Sequence, residues 1–218
     1  MSDIEREKGL TGLEFPDRAL EALAEELSEH YRGVFSAETV GRYVLESYAA
    51  LLRTSRVKAY LVTLTGRFVR ERLTALAQTV GEAPKDVPEV LFVCVENAGR
   101  SQMAMALMTH LSDGRVHVRS AGSMPAAAIN ALAVQVMQEI NLDITAEFPK
   151  PLTDDVVRAA DIVITMGCGD ACPVYPGKMY LDWDLDDPST LSVDGVREVR
   201  DQIAVLVRDL LADISPRL

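Results

Sequence analysis

A chain of 218 residues, 48% of them hydrophobic, is long enough for one large domain or two small ones. Its net charge of -11 is unevenly shared, with 11 basic and 12 acidic groups in residues 1–80 and 11 and 21 in residues 81–218, which argues against nucleic acid as a partner because phosphate contacts need clustered basic charge. No apolar run approaches the roughly 20 residues of a membrane span, the charged start MSDIEREKGL does not read as a signal peptide, and three cysteines do not make a disulfide framework. The expectation is a cytoplasmic protein with no membrane partner.

Residues 1–16 are polar and contain Gly9, Gly12 and Pro16, which predicts a loose arm. From Asp17, Leu20, Leu23, Leu27 and Tyr31 share one side of a helix that Gly33 stops. Ser36 is placed to cap a second helix, with Val40, Tyr43, Val44, Ser47, Tyr48 and Leu51 on its inner face. A third runs from near Val57 to Val80, its inner face marked by Leu61, Leu64, Phe68 and Leu76, and Gly66 interrupts it at a cost of about 1 kcal/mol relative to alanine. Residues 1–80 therefore read as an antiparallel three-helix bundle. Its core is too small to be comfortable alone, so it is expected to be a packing module through which the chain forms a homodimer.

Residues 81–88, GEAPKDVP, read as an interdomain linker, and 89–218 as a second domain. The apolar run Val90–Cys94 predicts a buried strand. Val116 and Val118 alternate with polar residues in a second strand that ends at Ser120, and Gly122 allows a turn. Ile129, Leu132, Ala133, Val136, Met137 and Ile140 mark a helix, and Thr153 is placed to cap a short one before the buried strand DIVITMG. A fourth strand spans residues 178–183, and Val196, Val199, Ile203, Leu206 and Leu210 mark a closing helix. Strands alternating with helices predict an α/β domain with a four-stranded parallel sheet covered by helices on both faces. Ligands of such sheets bind at the carboxyl ends of the strands, a rim that would gather Cys94, Ser120, Cys168 and Asp187.

Between the first strand and a helix bearing Met103, Leu107, Met108 and Leu111 lies the stretch Cys94, Val95, Glu96, Asn97, Ala98, Gly99, Arg100, Ser101. A loop in that position aims backbone N–H groups at one spot, where the helix dipole adds positive charge. A thiolate at one end and a guanidinium fork at the other would hold a tetrahedral oxyanion. The pattern Cys94-x5-Arg100-Ser101, with the preceding strand, the SQMA helix start, Ser120-Ala121-Gly122 and Asp187-Pro188, resembles the phosphate loop of low-molecular-weight protein tyrosine phosphatases and of the arsenate reductases built on that fold. The resemblance covers roughly residues 88 to 215, and the N-terminal bundle is similar to that of some actinobacterial arsenate reductases. It implies Cys94 as nucleophile, residues 95–101 as the oxyanion cradle, Asn97 as the residue that steadies the loop, and Asp187 as the general acid. The Ser101 hydroxyl would donate to the thiolate as well as cap the helix. No cofactor is implied, and no metal, since His30, His110 and His117 have no ligand spacing. Met105 and Lys150 stand where potassium-binding reductases carry acids, so Lys150 is expected to supply positive charge itself.

A phosphatase would let water hydrolyse the cysteinyl adduct, whereas a reductase needs a further thiol. Cys168 and Cys172, in MGCGDACP, are expected on the same rim, and four residues apart in one helical turn their Cα atoms would be about 6 Å apart, within disulfide reach. The expected relay has Cys94 bind arsenate, Cys168 attack Cys94 and Cys172 attack Cys168, with Gly167 and Gly169 letting the segment move. It ends in a disulfide near the surface for thioredoxin to reduce, as in the thioredoxin-coupled branch of the reductases. Ser189 follows Pro188 where the phosphatases carry an aromatic, which speaks against a tyrosine phosphatase. Glu96 must point outward to spare a bound anion, Asp182, Asp184 and Asp186 read as solvated charges, and Met103, Met105 and Met108 as core. The alternatives are a phosphatase whose Cys168 guards Cys94 against overoxidation and an arsenic- or redox-responsive binding protein whose three thiols capture arsenite.

Overall fold

The computed structural model describes residues 16–54, 60–169 and 172–214. The expected arm over residues 1–15 and the start of the third helix near Val57 lie outside the described residues. Helices α1 (Pro16–His30), α2 (Ala37–Leu52) and α3 (Leu61–Thr79) come first. Ser36 caps α2 by accepting a hydrogen bond from the Thr39 N–H. Leu20, Leu23, Leu27, Val40, Val44, Leu51, Leu61 and Phe68 are buried, which is the apolar stripe that the 3.6-residue period predicts. Gly66 is there for closeness: a Cβ at that position would stand 3.2 Å from a Leu23 methyl of α1.

Two compact units divide between Arg70 and Glu71, inside α3, rather than at residues 81–88 where the sequence suggests a linker. The second unit therefore starts with the last turns of α3. Besides a short 3-10 turn at Pro188–Thr190, its remaining elements are β1 (Glu89–Cys94), α4 (Arg100–Ser112), β2 (His117–Gly122), α5 (Ala131–Gln138), α6 (Asp154–Ala159), β3 (Ile162–Met166), β4 (Met179–Asp182) and α7 (Val193–Ile214). Thr153 holds the N-cap position of α6, but its hydroxyl makes no cap bond. The sheet is all parallel in the order β2-β1-β3-β4. With a neighbour on each edge β1 is wholly buried, which is why it reads as an unbroken apolar run. Its alternate side chains serve two cores. Val90, Phe92 and Cys94 pack with residues of α4, α5 and α7 on one face, while Leu91 and Val93 pack with Val156 and Val157 of α6 and with Ala75 of α3 on the other.

Residues 71–89 are bound to this domain by polar groups, several of them buried, that hydrophobic patterning does not reveal. Arg72 reaches the Asp155 carboxylate at 3.2 Å, both side chains being buried. Lys85 donates to the Ala159 carbonyl at 2.6 Å and to Asp161 at 2.7 Å, so the segment expected to be a linker is fastened to the chain between α6 and β3. Glu89, 1% exposed, accepts from Gln78 at 2.6 Å and from Arg119 at 2.9 Å and pairs with His117 at 2.9 Å. Burial alone would raise its pKa, but the His117 hydrogen bond and the Arg119 guanidinium outweigh burial and lower it to about 2.

A carboxylate with a depressed folded-state pKa stabilises the fold above its unfolded pKa and loses that contribution as pH falls toward the folded value. Glu89→Gln should therefore cost of order 3 kcal/mol near neutrality. Urea unfolding of both proteins should show the difference fading as pH falls from 4.5 to about 2, and a difference independent of pH would contradict this account.

Candidate active site

Strand register brings the site together. Cys94 is level with Gly122 of β2 and Met166 of β3, so the ends of three adjacent strands form one rim. Gly122 has to be glycine because the loop after β1 lies against it: a Cβ there would be 2.8 Å from the Val95 carbonyl oxygen and 2.9 Å from the Asn97 nitrogen. The expected turn residue is in fact a close-approach residue.

From Gly122 the chain runs beside the loop and occupies its carbonyls. Ser123, Met124, Ala126 and Asn130 donate their N–H groups to the carbonyls of Cys94, Val95, Glu96 and Ala98, and the Gln102 amide donates to that of Asn97. In a trans peptide the next N–H points opposite to the carbonyl, so the loop's N–H groups turn inward. The Asn97 N–H does so, meeting the Cys94 sulfur at 3.2 Å. Asn97 takes a left-handed backbone (φ 49°), tolerable for asparagine, and is fully buried. Its Oδ1 accepts from the Lys150 N–H at 2.8 Å and from Gln102 at 3.0 Å, and its Nδ2 donates to the Ser101 hydroxyl at 2.8 Å. That hydroxyl lies 3.0 Å from the Cys94 sulfur.

Arg100, 7% exposed, binds the Leu185 carbonyl at 3.1 Å and an Asp187 oxygen at 3.0 Å. Two close contacts hold this arrangement. Pro188 covers Gly99, where a Cβ would be 3.2 Å from the proline ring, and Gly167 leaves room for the guanidinium, which a Cβ on residue 167 would approach to 3.1 Å. Burial pulls the Asp187 pKa upward, but the Ser189 N–H and the Arg100 charge outweigh it, so the carboxyl is held below its usual range. A small pocket is lined by Cys94, Glu96, Ala98, Gly99, Arg100, Asn130, Asp187, Pro188 and Ser189. Glu96 is exposed at its edge, and Asp182, Asp184 and Asp186 are exposed as expected.

The other thiols differ from expectation. Cys168 and Cys172 are each 8% exposed, within the core on the α6 side of the sheet, whereas Cys94 belongs to the opposite core. The intervening Asp170 and Ala171 lie outside the described residues. Burial, then the Cys94 charge, pushes the Cys168 thiol up, and burial with the Cys168 charge pushes Cys172 to about 11. All three are free thiols. Sequence reasoning put the pair at the surface because it fell beyond a strand. The apolar groups around it, Leu91, Val93 and Val163 among them, draw it inward. Sequence reasoning also missed Gln102, whose helix start suggested only a cap, and Asn130, which pairs an N-cap role with a place on the pocket wall.

Comparison with known proteins gives two family matches, which leave residues 78–88 between them. A family model described as low molecular weight phosphotyrosine protein phosphatase matches residues 89–217, and one described as protein-tyrosine-phosphatase-like, N-terminal domain matches residues 20–77. The solved structure of a Corynebacterium glutamicum thioredoxin-dependent arsenate reductase is similar with a TM-score of 0.86 and 47% identity, over 93% of this chain and 99% of that one. The arsenate reductase of Shouchella clausii is 36% identical over 124 residues, 55% of this chain and 86% of the relative. The glutaredoxin arsenate reductase of Synechocystis sp. is 33% identical over 130 residues, 58% of this chain and 98% of the relative.

Gly122→Ala should lower stability by about 2–3 kcal/mol in urea unfolding, because backbone atoms of the loop cannot give way. Gly114→Ala, with a left-handed φ of 76° but no neighbour within 4 Å, should cost only about 1 kcal/mol. Equal costs would mean that the loop does not rest on Gly122.

Proposed function

We propose that this chain, which belongs to the low molecular weight phosphotyrosine protein phosphatase family, is an arsenate reductase that draws its electrons from thioredoxin. The observation that carries this reading is a pair of further thiols, Cys168 and Cys172, just beyond the strand that lies beside the one ending in Cys94. A phosphatase needs neither. Ser189, rather than an aromatic residue, lines the pocket, which also favours a small inorganic oxyanion over an aryl phosphate.

In the reaction so inferred, arsenate enters the loop and takes the Arg100 fork together with the inward N–H groups. That separates Arg100 from Asp187 and sets negative charge beside the carboxyl; both changes raise its pKa, so Asp187 gains a proton as substrate arrives. The Cys94 thiolate attacks arsenic, and Asp187 protonates the departing oxygen, which leaves as water. Cys168, as thiolate, then attacks the Cys94 sulfur. The sulfur–arsenic bond breaks with its electron pair passing to arsenic, which leaves as arsenite, and a Cys94–Cys168 disulfide remains. Cys172 attacks Cys168 and releases the Cys94 thiolate. The dithiol of thioredoxin reduces the Cys168–Cys172 disulfide and completes the two-electron cycle. Since both resolving thiols are buried, the relay requires the segment between the left-handed Gly167 and Gly169 (φ 73° and 54°) to move around the end of β1.

Coupled turnover with arsenate, thioredoxin, thioredoxin reductase and NADPH tests this. Cys94→Ser, Cys168→Ser and Cys172→Ser should each abolish turnover; normal turnover in Cys172→Ser would transfer the role of reductant to a small thiol, and hydrolysis of p-nitrophenyl phosphate without arsenate turnover would make the enzyme a phosphatase. Because burial pushes the Cys172 thiol up to about 11, its thiolate is scarce near neutrality in the resting fold.

The setting is the cytoplasm, whose reducing potential keeps the thiols free; among the described residues no helix is long and apolar enough to cross a membrane. The N-terminal bundle joins two copies of the chain. In support, Leu45 is 61% exposed beside an apolar groove lined by Leu20, Ala24 and Val44. Light scattering should give twice the chain mass for the wild type and the single mass for Leu45→Glu; a monomeric wild type would remove the dimer.

A further inference from the structure

Helix α3 reaches the catalytic loop through one buried ion pair. Lys150, 3% exposed, has its ammonium 3.0 Å from both carboxylate oxygens of Glu71, a residue outside the phosphatase family match. A buried ammonium is tolerated when a counter-charge and hydrogen bonds satisfy it, and the other neighbour of this one is the Phe148 ring, 5.6 Å away. The Lys150 main chain is equally engaged: its N–H donates to Asn97 Oδ1 at 2.8 Å and its carbonyl accepts from the Gly122 N–H at 2.8 Å. Residue 150 thus links the catalytic loop to the end of β2, and its side chain is fixed by α3. Glu71 is itself held, since Arg119 donates to its carbonyl at 2.8 Å.

We propose that Glu71 is a positioning residue for Cys94, acting through the Lys150 ammonium, the Lys150 N–H, the Asn97 amide and the Ser101 hydroxyl. Each link is a contact between named atoms: 3.0 Å from Glu71 to Lys150, 2.8 Å from Lys150 to Asn97, 2.8 Å from Asn97 to Ser101 and 3.0 Å from Ser101 to the Cys94 sulfur. Without the carboxylate, the lysine either swings toward water or gives up its proton. Both relax residue 150, and Asn97 loses the donor that orients its amide. Ser101 then no longer sits where its hydroxyl donates to the thiolate, and the inward N–H groups spread. The anion loop is consequently not self-sufficient within the phosphatase-like domain; one of its supports comes from the helix that precedes it. The inference rests on Cys94 being the attacking thiol.

The test uses the full chain carrying Cys168→Ser and Cys172→Ser, so that iodoacetamide reports Cys94 alone. Alkylation is followed against pH and against inorganic phosphate, which occupies the loop and protects the thiol. Glu71→Gln and Lys150→Met should each raise the half-protecting phosphate concentration about five- to tenfold and move the alkylation profile to higher pH, as expected when hydrogen bonds to a thiolate are lost. Glu71→Asp, which keeps the charge, should recover most of both effects, and thermal melts should show all variants folded at the assay temperature. Should Glu71→Gln fail to fold, Lys150→Met carries the same expectations without stranding a buried cation. Unchanged phosphate protection and an unchanged pH profile would overturn the proposal whatever the melting temperatures. So would tighter phosphate binding with a profile moved to lower pH in Glu71→Gln, because Lys150 would then act through its field and not through position. Arsenate turnover of the wild type, measured in parallel, separates a failure of this inference from a failure of the reductase reading.

Discussion

The loop after β1 depends on one side chain, the amide of Asn97. A loop that turns its N–H groups inward cannot use them for its own support, so its supports must come from the side and below. Asn97 supplies them by facing two ways: its oxygen takes the Lys150 N–H and the Gln102 amide, and its nitrogen holds the Ser101 hydroxyl beneath the Cys94 sulfur. The left-handed backbone at this residue is a local strain that three hydrogen bonds offset. The close seat against Gly122 and the capture of the loop's carbonyls by residues 123–130 extend the same logic. The cradle is ordered before any anion arrives.

The sheet divides the thiols. Cys94 ends β1 on the face covered by α4, α5 and α7, and Cys168 and Cys172 sit in the core beneath α6. Burial raises the pKa of Cys168 and Cys172, and a protonated thiol is a poor nucleophile and a poor target for stray oxidants. The two positive-φ glycines flanking Cys168 give this segment backbone freedom in a region that is otherwise packed.

Helix α3 serves two ends. In its first turns Gly66 admits Leu23 of α1, and in its last turns Glu71, Arg72, Ala75 and Gln78 are bonded and packed into the domain built around the sheet. The polar members of that second group are paired with buried charges on β1, β2, α6 and the segment before Pro151. Such pairs contribute little net stability when intact but are costly to break, so they specify where the helix end sits more than they strengthen the fold.

The sequence by itself determined the elements and the residues that line the rim. Period-two and period-3.6 patterns are local properties, so the strands and most helices could be read directly, their alternation implied parallel pairing, and Cys94-x5-Arg100-Ser101 lies within eight residues. Tertiary structure decided what depends on residues distant in the chain. That Gly122 must lack a side chain follows from Val95 and Asn97 lying against it, and that Lys150 is a buried structural cation follows from Glu71, 79 residues away. Glycine, prolines and charges in residues 81–88 report backbone propensity and say nothing of Lys85 finding Asp161. Cys168 and Cys172 were expected at the surface because a strand end is usually exposed. Their burial comes from apolar neighbours contributed by β1, β3 and α6, and only the packing of those elements together could create it.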